Sequence, residues 1–575
     1  MRLRASFAVI FAAILVAPAR GEEAADELLR LTPPDAGVTI AVEDLAGHIR
    51  TFWESPLAEG LARLPAVRAW ISSDAGRRFL RSRKEIEGAL KVDAADLRDA
   101  LFGQAFVLAL QLPPGEPPDR ARGLLLTKVR DKALLQRLIS TINDAERKDG
   151  ALVEVATRDR GGTSYSVRTF RAGTKPPEAY AILGDTFAWS NSEALIREVI
   201  DRTAQGPGLG ALPGFRKVRD GLPPRSAASL FVDPRFVERM LAADAKPHSR
   251  EEERNLAFLR RYLSPLEYAG ACLQWRDGLI LHAREAIDPD KLDTALKLRK
   301  SLVRAEGAPS RRAPATVLAL ATGPVDFAAI FDGLISLVPE AERPHADHVA
   351  AVVRGVLLGK DARSEILPRL GPGVLLYLDA PGASETWPPW VVSVDVDDVG
   401  TSAAIENGLR TALSLYALGQ KGKEATLRVE TREIGGVRVT GLTGTRFAYA
   451  FGRGRLACSA TPEAAAGGID AGGGGAQGDS RFERARSAFF PGVESFAYAD
   501  LEAIWKVADS RRDALAQGLA AGRPKDARRD LDHVLDFLHL FRFAFATSAV
   551  DPGYTATHRT LGLITRGAGE GPAAP

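Results

Sequence analysis

The chain has 575 residues, of which 45% are hydrophobic and 26% are charged. This balance is typical of a folded globular protein and excludes both a disordered chain and a protein with many membrane spans. The 76 basic and 73 acidic residues leave a formal charge of +3, which is too small to indicate a nucleic-acid-binding protein. At about 150 residues per domain, this length predicts roughly four domains.

Residues 1–21 have the pattern of a secretory signal peptide. Arg2 and Arg4 precede an apolar run from Ala5 to Ala17. That run is too short for a membrane-spanning helix, which needs about 20 residues, and cleavage after Ala19 or Gly21 satisfies the requirement for small residues. We therefore expect export through the general secretory route to the periplasm or the extracellular space, with no transmembrane segment in the mature chain.

The two halves of the chain share motifs in the same order. Asp93-Ala94 and Asp361-Ala362 each begin a helical segment, and a glycine, Gly103 or Gly371, follows ten residues after the aspartate. An apolar run comes next in both halves, at 106–110 and at 374–378. Other matches pair the Gly-Gly segments 155–162 and 429–436, and pair Phe215, Arg219, Pro224 and Asp233 with Phe482, Arg486, Pro491 and Asp500. The three offsets, 268, 274 and 267 residues, are nearly constant and predict a tandem duplication.

We predict a first unit at 31–289, a helical or polar linker at 290–312, a second unit at 313–563 and a flexible C-terminal tail at 564–575. The predicted strands are 37–43, 106–110 and 124–129 in the first unit, and 315–321, 374–378 and 391–396 in the second. The predicted hairpins turn at the Gly-Gly pairs, at Gly184-Asp185 or Arg453-Gly454, and at Asp277-Gly278 or 551–553. Tight hairpins join antiparallel strands, so the fold class is α+β, with a mainly antiparallel sheet and helices packed on one face in each unit.

The repeated order of elements, the exported start and the segment that runs from Phe-x-x-x-Arg through Pro to a strand ending in Asp resemble an uncharacterised bacterial family. That family consists of exported, internally duplicated proteins that carry a domain of unknown function. The resemblance covers most of the mature chain. It implies an uncharacterised envelope protein and contributes no catalytic residues.

Two features without a counterpart in the other half are candidate binding sites. Trp387 and Trp390 flank two prolines, and a stiff turn of this kind can present an aromatic ring to a sugar or to a partner. The alternative is that both tryptophans pack on the sheet, since large aromatic residues are mostly buried. The second feature is the basic stretch that contains Arg77, Arg78 and Arg81, which can contact anionic lipid headgroups or polymers. The alternative there is an ordinary solvated helix face.

Three other motifs give weak signals. The glycines of 206–211 fit a permissive dinucleotide-binding pattern, but they follow a helical segment instead of a strand, so a flexible link is favoured. The acidic segment 395–400 is similar to the start of a calcium loop, but it follows a strand, so a helix N-cap is favoured. Two histidine clusters, His345-x-Asp347-His348 and His533-x-x-Asp536-x-x-His539, lack the spacing of a zinc site, and we expect no metal and no cofactor.

Cys272 and Cys458 lack a flanking histidine or second cysteine, so we expect small buried side chains, although a disulfide between them stays open. Together these features favour a non-enzymatic binding or scaffolding protein of the bacterial cell envelope. Its partner would be an unknown envelope protein, a polymer or an apolar ligand. The alternatives are an envelope hydrolase whose site is assembled from distant residues, and a carrier of an apolar ligand.

Overall fold

A computed structural model describes most of the chain. The described residues are 21–204, 207–224, 226–243, 250–275, 278–292, 317–336, 343–381, 388–396, 398–419, 427–470, 481–493, 495–519 and 524–566. The predicted signal peptide lies outside them, except for Gly21. Among the helices that the structure describes, none is both long enough and apolar enough to cross a membrane.

The chain forms two compact units. The first contains residues 1–289 and 551–568, and the second contains 290–550 and 569–575. The last strand, Ala556–Thr565, pairs with Gly278–Ile287 over nine residues, so it belongs to the first unit and not, as the sequence suggested, to the second. The alternation of apolar residues identifies a strand but carries no information about which distant strand it joins.

The first unit mixes strands and helices along the chain. Its strands are β1 (Val38–Glu43), β2 (Ala105–Gln111), β3 (Arg122–Lys128), β4 (Leu152–Arg160), β5 (Thr163–Phe170), β6 (Glu178–Leu183), β7 (Thr186–Ser190), β8 (Ala228–Val232), β9 (Leu266–Trp275) and β10 (Gly278–Ile287). Its helices are α1 (Gly21–Leu31), α2 (Leu45–Trp53), α3 (Pro56–Arg63), α4 (Pro65–Ser72), α5 (Asp74–Leu90), α6 (Ala94–Phe102), α7 (Lys132–Lys148), α8 (Glu193–Ala204), α9 (Pro213–Arg219), α10 (Pro234–Ala243) and α11 (Arg250–Leu263).

The second unit has a similar mixture of elements. Its strands are β11 (Val317–Pro324), β12 (Leu370–Asp379), β13 (Trp390–Val396), β14 (Val429–Ile434), β15 (Val437–Leu442), β16 (Ala448–Gly452), β17 (Arg455–Ser459), β18 (Ser495–Ala499) and β19 (Phe541–Val550). Its helices are α12 (Phe327–Ser336), α13 (Arg343–Val356), α14 (Val399–Gly419), α15 (Pro462–Asp470), α16 (Arg481–Phe489), α17 (Leu501–Ser510), α18 (Arg512–Leu519) and α19 (Pro524–Leu538). The strand Ala556–Thr565 of the first unit is β20.

The strands of each unit pair in antiparallel fashion. The first sheet has the order β4-β5-β6-β7-β3-β2-β1-β8-β9-β10-β20. The second has the order β14-β15-β16-β17-β13-β12-β11-β18-β19. The α+β class with a large antiparallel sheet is therefore confirmed.

The predicted Gly-Gly hairpins are also present. Gly161 and Gly162 join β4 to β5 with φ of 58° and 80°, and Gly435 and Gly436 join β14 to β15 with φ of 58° and 79°. Positive φ at both central residues defines the turn that matches the twist of the flanking strands.

Helices cover both faces of the first sheet, so the prediction of helices on one face is wrong for this unit. One face packs against α1, α8 and α9 and forms the main core around residues such as Val107, Leu126 and Phe215. On the other face, Leu45 and Ile49 of α2 pack on Val42 and Phe106. The reason is visible in the sequence, because the uninterrupted apolar run 106–110 places apolar side chains on both faces of β2.

Candidate binding site

The basic residues Arg77, Arg78 and Arg81 lie on α5, and all three side chains are exposed. Arg77 forms an ion pair with Asp74 at 2.6 Å. Within the described part of the chain, neither Arg78 nor Arg81 is joined to a carboxylate by an ion pair. Most of the positive charge of this helix is therefore available to a partner.

α4 and α5 form a helical hairpin, residues 65–90, that buries few of its side chains. No residue of α4 is buried, and only Gly76 and Leu90 of α5 are. The rings of Trp70 and Phe79 pack together with their centroids 6.2 Å apart. Ser73 connects the helices, because its Oγ donates to the carbonyl of Trp70 at 2.6 Å and accepts from the backbone N–H of Gly76 at 3.1 Å. The α4–α5 hairpin is thus an ordered element with an exposed outer surface.

Apolar side chains are exposed on this hairpin beside the basic ones. Trp70, Ile71 and Leu80 are 53%, 46% and 42% exposed. Leu80 lies three residues after Arg77 and four before Lys84, so these side chains share one face of α5. The hairpin therefore presents an apolar and basic surface, whereas sequence reasoning had singled out only its charge.

Only one tryptophan of the second predicted site, Trp390, is among the described residues. Trp387 lies outside the described residues. Trp390 begins β13, is half-buried, and stands directly opposite Leu378 on the face that also exposes Leu376. The neighbouring Val391 points into the opposite face and is fully buried. Trp390 is therefore a sheet-face residue beside exposed leucines and not a core residue.

An open apolar surface lies on the first sheet, on the face opposite the main core. Leu110, Leu230, Leu281 and Leu561 are between 41% and 49% exposed there. Their sequence neighbours Ala109 and Phe231 point into the main core, which fixes the face of the leucines by the alternation of a strand. Ile40 and Leu273 connect these leucines across the sheet. We call these six residues the leucine strip.

The leucine strip crosses six adjacent strands diagonally. The strands are β2, β1, β8, β9, β10 and β20, and five spacings of about 4.8 Å give a length of roughly 24 Å. Leu281 lies directly opposite both Leu273 and Leu561. Sequence reasoning missed the strip because it depends on the pairing of strands that are far apart in the chain.

Helices limit the strip on both sides. On one side α2 covers Val42 and Phe106, and the Phe52 ring packs against Trp275 with centroids 5.3 Å apart. On the other side Tyr262 of α11 donates a hydrogen bond to Glu285 at 3.2 Å. The open surface thus lies between these contacts. On β9, Ala269 stands opposite Glu285, and six residues, or about 20 Å, separate it from Trp275.

Cys272 and His282 lie opposite each other on β9 and β10, a proximity that the sequence did not reveal. Burial raises the pKa of the Cys272 thiol. Burial, with a further contribution from His558, lowers the pKa of His282 to about 4. His282 also shares a hydrogen bond of 3.1 Å with the hydroxyl of Thr560. Both groups are neutral near pH 7, so this pair is not an activated thiolate.

Both cysteines are free thiols, and Cys458 is half-buried where we expected burial. Burial raises the pKa of its thiol to about 11. The disulfide considered for the sequence is therefore not formed, and neither thiol is poised for nucleophilic chemistry.

The two histidine clusters are described only in part. His533 and His539 are exposed and Asp536 is half-buried. The ring of His539 packs on Trp505 with centroids 4.5 Å apart. In the other cluster His348 is exposed, while the side chains of His345 and Asp347 lie outside those described. Across the described residues, no group of three His, Cys, Asp or Glu side chains is placed to hold a metal ion.

The acidic segment 395–400 supplies a helix cap. The carboxylate of Asp398 accepts hydrogen bonds from the backbone N–H and the hydroxyl of Thr401, at 2.7 and 2.8 Å. These bonds lower the pKa of Asp398 to about 2. Asp395 instead forms an ion pair with Arg455 at 3.6 Å, and Asp397 lies outside the described residues. The N-cap interpretation is therefore confirmed for Asp398.

The second unit has a small depression at β14–β16, lined by residues that include Glu430, Arg432, Thr443 and Phe447. Its volume of about 190 Å³ is below the roughly 300–1,000 Å³ of typical small-molecule pockets. Arg432 and Glu430 pair with each other at 2.7 Å there. The leucine strip and the α4–α5 hairpin are therefore the stronger candidates for a binding site.

Comparison with known proteins identifies no relative: no family model matches this sequence, and no curated protein is significantly similar to it. The resemblance to exported proteins of unknown function stays a prediction.

Proposed function

We propose that this chain is an exported, non-enzymatic binding protein of the bacterial cell envelope, and that its first unit carries the acyl chain of a lipid on the leucine strip. The observation that carries the proposal is the row of four leucines, each more than two-fifths exposed, on a sheet face that α2 covers beside them. An apolar surface of this kind is unfavourable in water and is typical of ligand-binding or partner-binding sites.

The dimensions of the strip favour an extended hydrocarbon chain. One acyl chain spans half of a bilayer core, or about 15 Å, and so fits within the roughly 24 Å of the strip.

Export through the general secretory route is part of this proposal. Helix α1 begins at Gly21, and its Ala25, Leu28 and Leu29 are essentially fully buried in the main core. Cleavage after Ala19 would leave α1 intact, whereas the apolar run before it would be removed. An envelope location also supplies lipid as a ligand.

We further infer that the two units arose by duplication. Nine strands occur in the same order in both sheets. The matched phenylalanines Phe215 and Phe482 are both buried at the start of a helix that precedes β8 or β18. The matched aspartates Asp233 and Asp500 are also both buried, and each accepts a hydrogen bond from a backbone N–H of the next helix.

Binding of a fluorescent long-chain fatty acid to the purified chain tests the function. We expect saturable binding, and we expect the double variant Leu230→Gln, Leu281→Gln to bind at least tenfold more weakly, because burying the exposed half of each leucine contributes about 1 kcal/mol. Extraction of the purified protein with organic solvent, followed by mass spectrometry, would identify the natural lipid.

The matched control is the double variant Ile142→Gln, Val153→Gln, which removes two exposed apolar side chains of the same unit away from the strip. It should bind the probe as the unmodified chain does. Equal binding by the unmodified chain and the leucine variant would contradict the proposal.

A further inference from the structure

The α4–α5 hairpin has the composition and exposure of a membrane-docking element, and we propose that it binds the surface of an anionic phospholipid bilayer. This role goes beyond the proposed function, since it depends on different residues from the leucine strip. Three properties of the hairpin support it: the arrangement of its outer face, its charge, and the placement of its exposed aromatic ring.

The outer face of α5 combines basic and apolar side chains. With about 100° between successive residues, Leu80, Lys84, Arg77 and Arg81 fall within an arc of about 100°. The opposite side of the helix carries Phe79 and Ile86, which are half-buried, and Leu90, which is buried. The helix therefore already satisfies its inner apolar face within the protein, and Leu80 is an additional apolar residue that points outward.

The hairpin has a net positive charge, although the chain as a whole is close to neutral. Residues 65–90 contain six basic and three acidic residues, whereas the whole chain contains 76 and 73. Three arginines of that total lie in residues 1–20, so the remainder of the chain is neutral overall. Basic residues near an anionic bilayer each contribute about 1 kcal/mol to binding, which makes this excess favourable for such a surface.

Trp70 and Ile71 add the element that a purely electrostatic surface lacks. Both are about half exposed. They lie in the last turn of α4, three and two residues before Ser73, the N-cap of α5. Tryptophan prefers the headgroup level of a membrane, where its apolar ring and its N–H are both accommodated. The α4–α5 hairpin thus combines an exposed tryptophan with an exposed leucine and several arginines, which is the composition of an interfacial anchor.

The two helices of the hairpin approach each other closely at Gly76. A side chain added at Gly76 would place its Cβ 2.3 Å from the carbonyl oxygen of Trp70. The close approach of α5 to the end of α4 therefore sets the position of Trp70 relative to the arginines. Rigid presentation reduces the entropy that ordering would otherwise cost on binding.

Co-sedimentation with vesicles tests the proposal. The chain lacking residues 1–20 should bind vesicles of phosphatidylglycerol and phosphatidylcholine, and should bind phosphatidylcholine vesicles much more weakly. The triple variant Arg77→Gln, Arg78→Gln, Arg81→Gln should bind the anionic vesicles roughly a hundredfold more weakly. The variant Trp70→Ser should bind several-fold more weakly, whereas Trp70→Phe should retain most of the binding.

The matched control removes the same charge from the second unit, by Arg369→Gln, Arg410→Gln, Arg438→Gln, all at exposed positions. It should bind as the unmodified chain does. The proposal is overturned if the chain binds neither vesicle, if the two triple variants are equally affected, or if Trp70→Ser has no effect. Thermal unfolding of each variant separates misfolding from loss of binding, and the leucine-strip variant should still bind vesicles, so the two proposals fail separately.

Discussion

Gly208 lies so close to the backbone of Arg30 that a Cβ at this position would stand 1.9 Å from the carbonyl oxygen of Arg30. The next residue, Leu209, is fully buried, and its N–H donates to the carbonyl of Thr32 at 2.9 Å. The glycine-rich segment is therefore not only a link between α8 and α9. It docks helix α1 against the main core.

Replacement of Gly208 by alanine should destabilise the first unit by about 3 kcal/mol, because the added methyl group meets backbone, which can move only with α1. Chemical denaturation would measure this change in the free energy of unfolding. The control is Gly210→Ala in the same segment, where the nearest atom to an added Cβ is 3.8 Å away. That variant should change the stability by less than about 1 kcal/mol. Equal effects of the two substitutions would refute this role of Gly208.

Part of this fold could be predicted from local patterns in the sequence. The rest depends on pairing between strands that are far apart in the chain. The Gly-Gly hairpins at Gly161 and Gly435 could be predicted because a tight turn and its strands are adjacent in the chain. Helix α1 was missed because it directly follows an apolar run that was predicted to be a leader, and the first unit was expected to begin ten residues later. The opposition of Cys272 to His282 and the alignment of Leu230 with Leu281 require a register that no local pattern specifies.

Both cysteine thiols should be unreactive in the native protein. Burial raises the pKa of Cys272 and raises that of Cys458 to about 11, so little thiolate is present at pH 8. Titration with an aromatic disulfide reagent at that pH should modify neither thiol quickly, and unfolding should release two. Rapid modification of Cys272 in the folded chain would show that its side chain is accessible and would contradict its burial.

His282 should make the first unit less stable in acid. Its pKa is about 4 in the folded chain and near 6.5 when unfolded, so the unfolded chain binds more protons between these values. The contribution of neutral His282 to the free energy of unfolding is therefore fully present above pH 6.5 and is lost as the pH drops towards 4. The loss is about 2 kcal/mol between pH 6.5 and 5. The variant His282→Gln should lose less stability over this interval in parallel denaturation curves. An unchanged pH dependence would exclude His282 as the cause.

The ion pairs of the first unit differ in burial, and their removal should differ accordingly. The side chain of Arg168 is 8% exposed and pairs with Glu178 at 2.5 Å and with Glu146, whereas the side chain of Arg158 is 46% exposed and pairs with Glu193 at 2.7 Å. Lys175 also pairs with Glu146 and Glu178, at 2.7 and 3.0 Å. Arg168→Met therefore leaves two poorly solvated carboxylates to share one cation and should cost about 3 kcal/mol.

Arg158→Met removes a solvated pair from the same sheet and should cost less than about 1 kcal/mol, because water replaces the lost partner. Urea denaturation of both variants at low and high salt would separate the two cases. Added salt should reduce the small loss of stability caused by Arg158→Met. Most of the loss caused by Arg168→Met should persist, since buried charges are screened less. A cost at Arg168 as small as that at Arg158 would mean that Lys175 and water together compensate Glu146 and Glu178, and would contradict a stabilising role for Arg168 between α7 and the sheet.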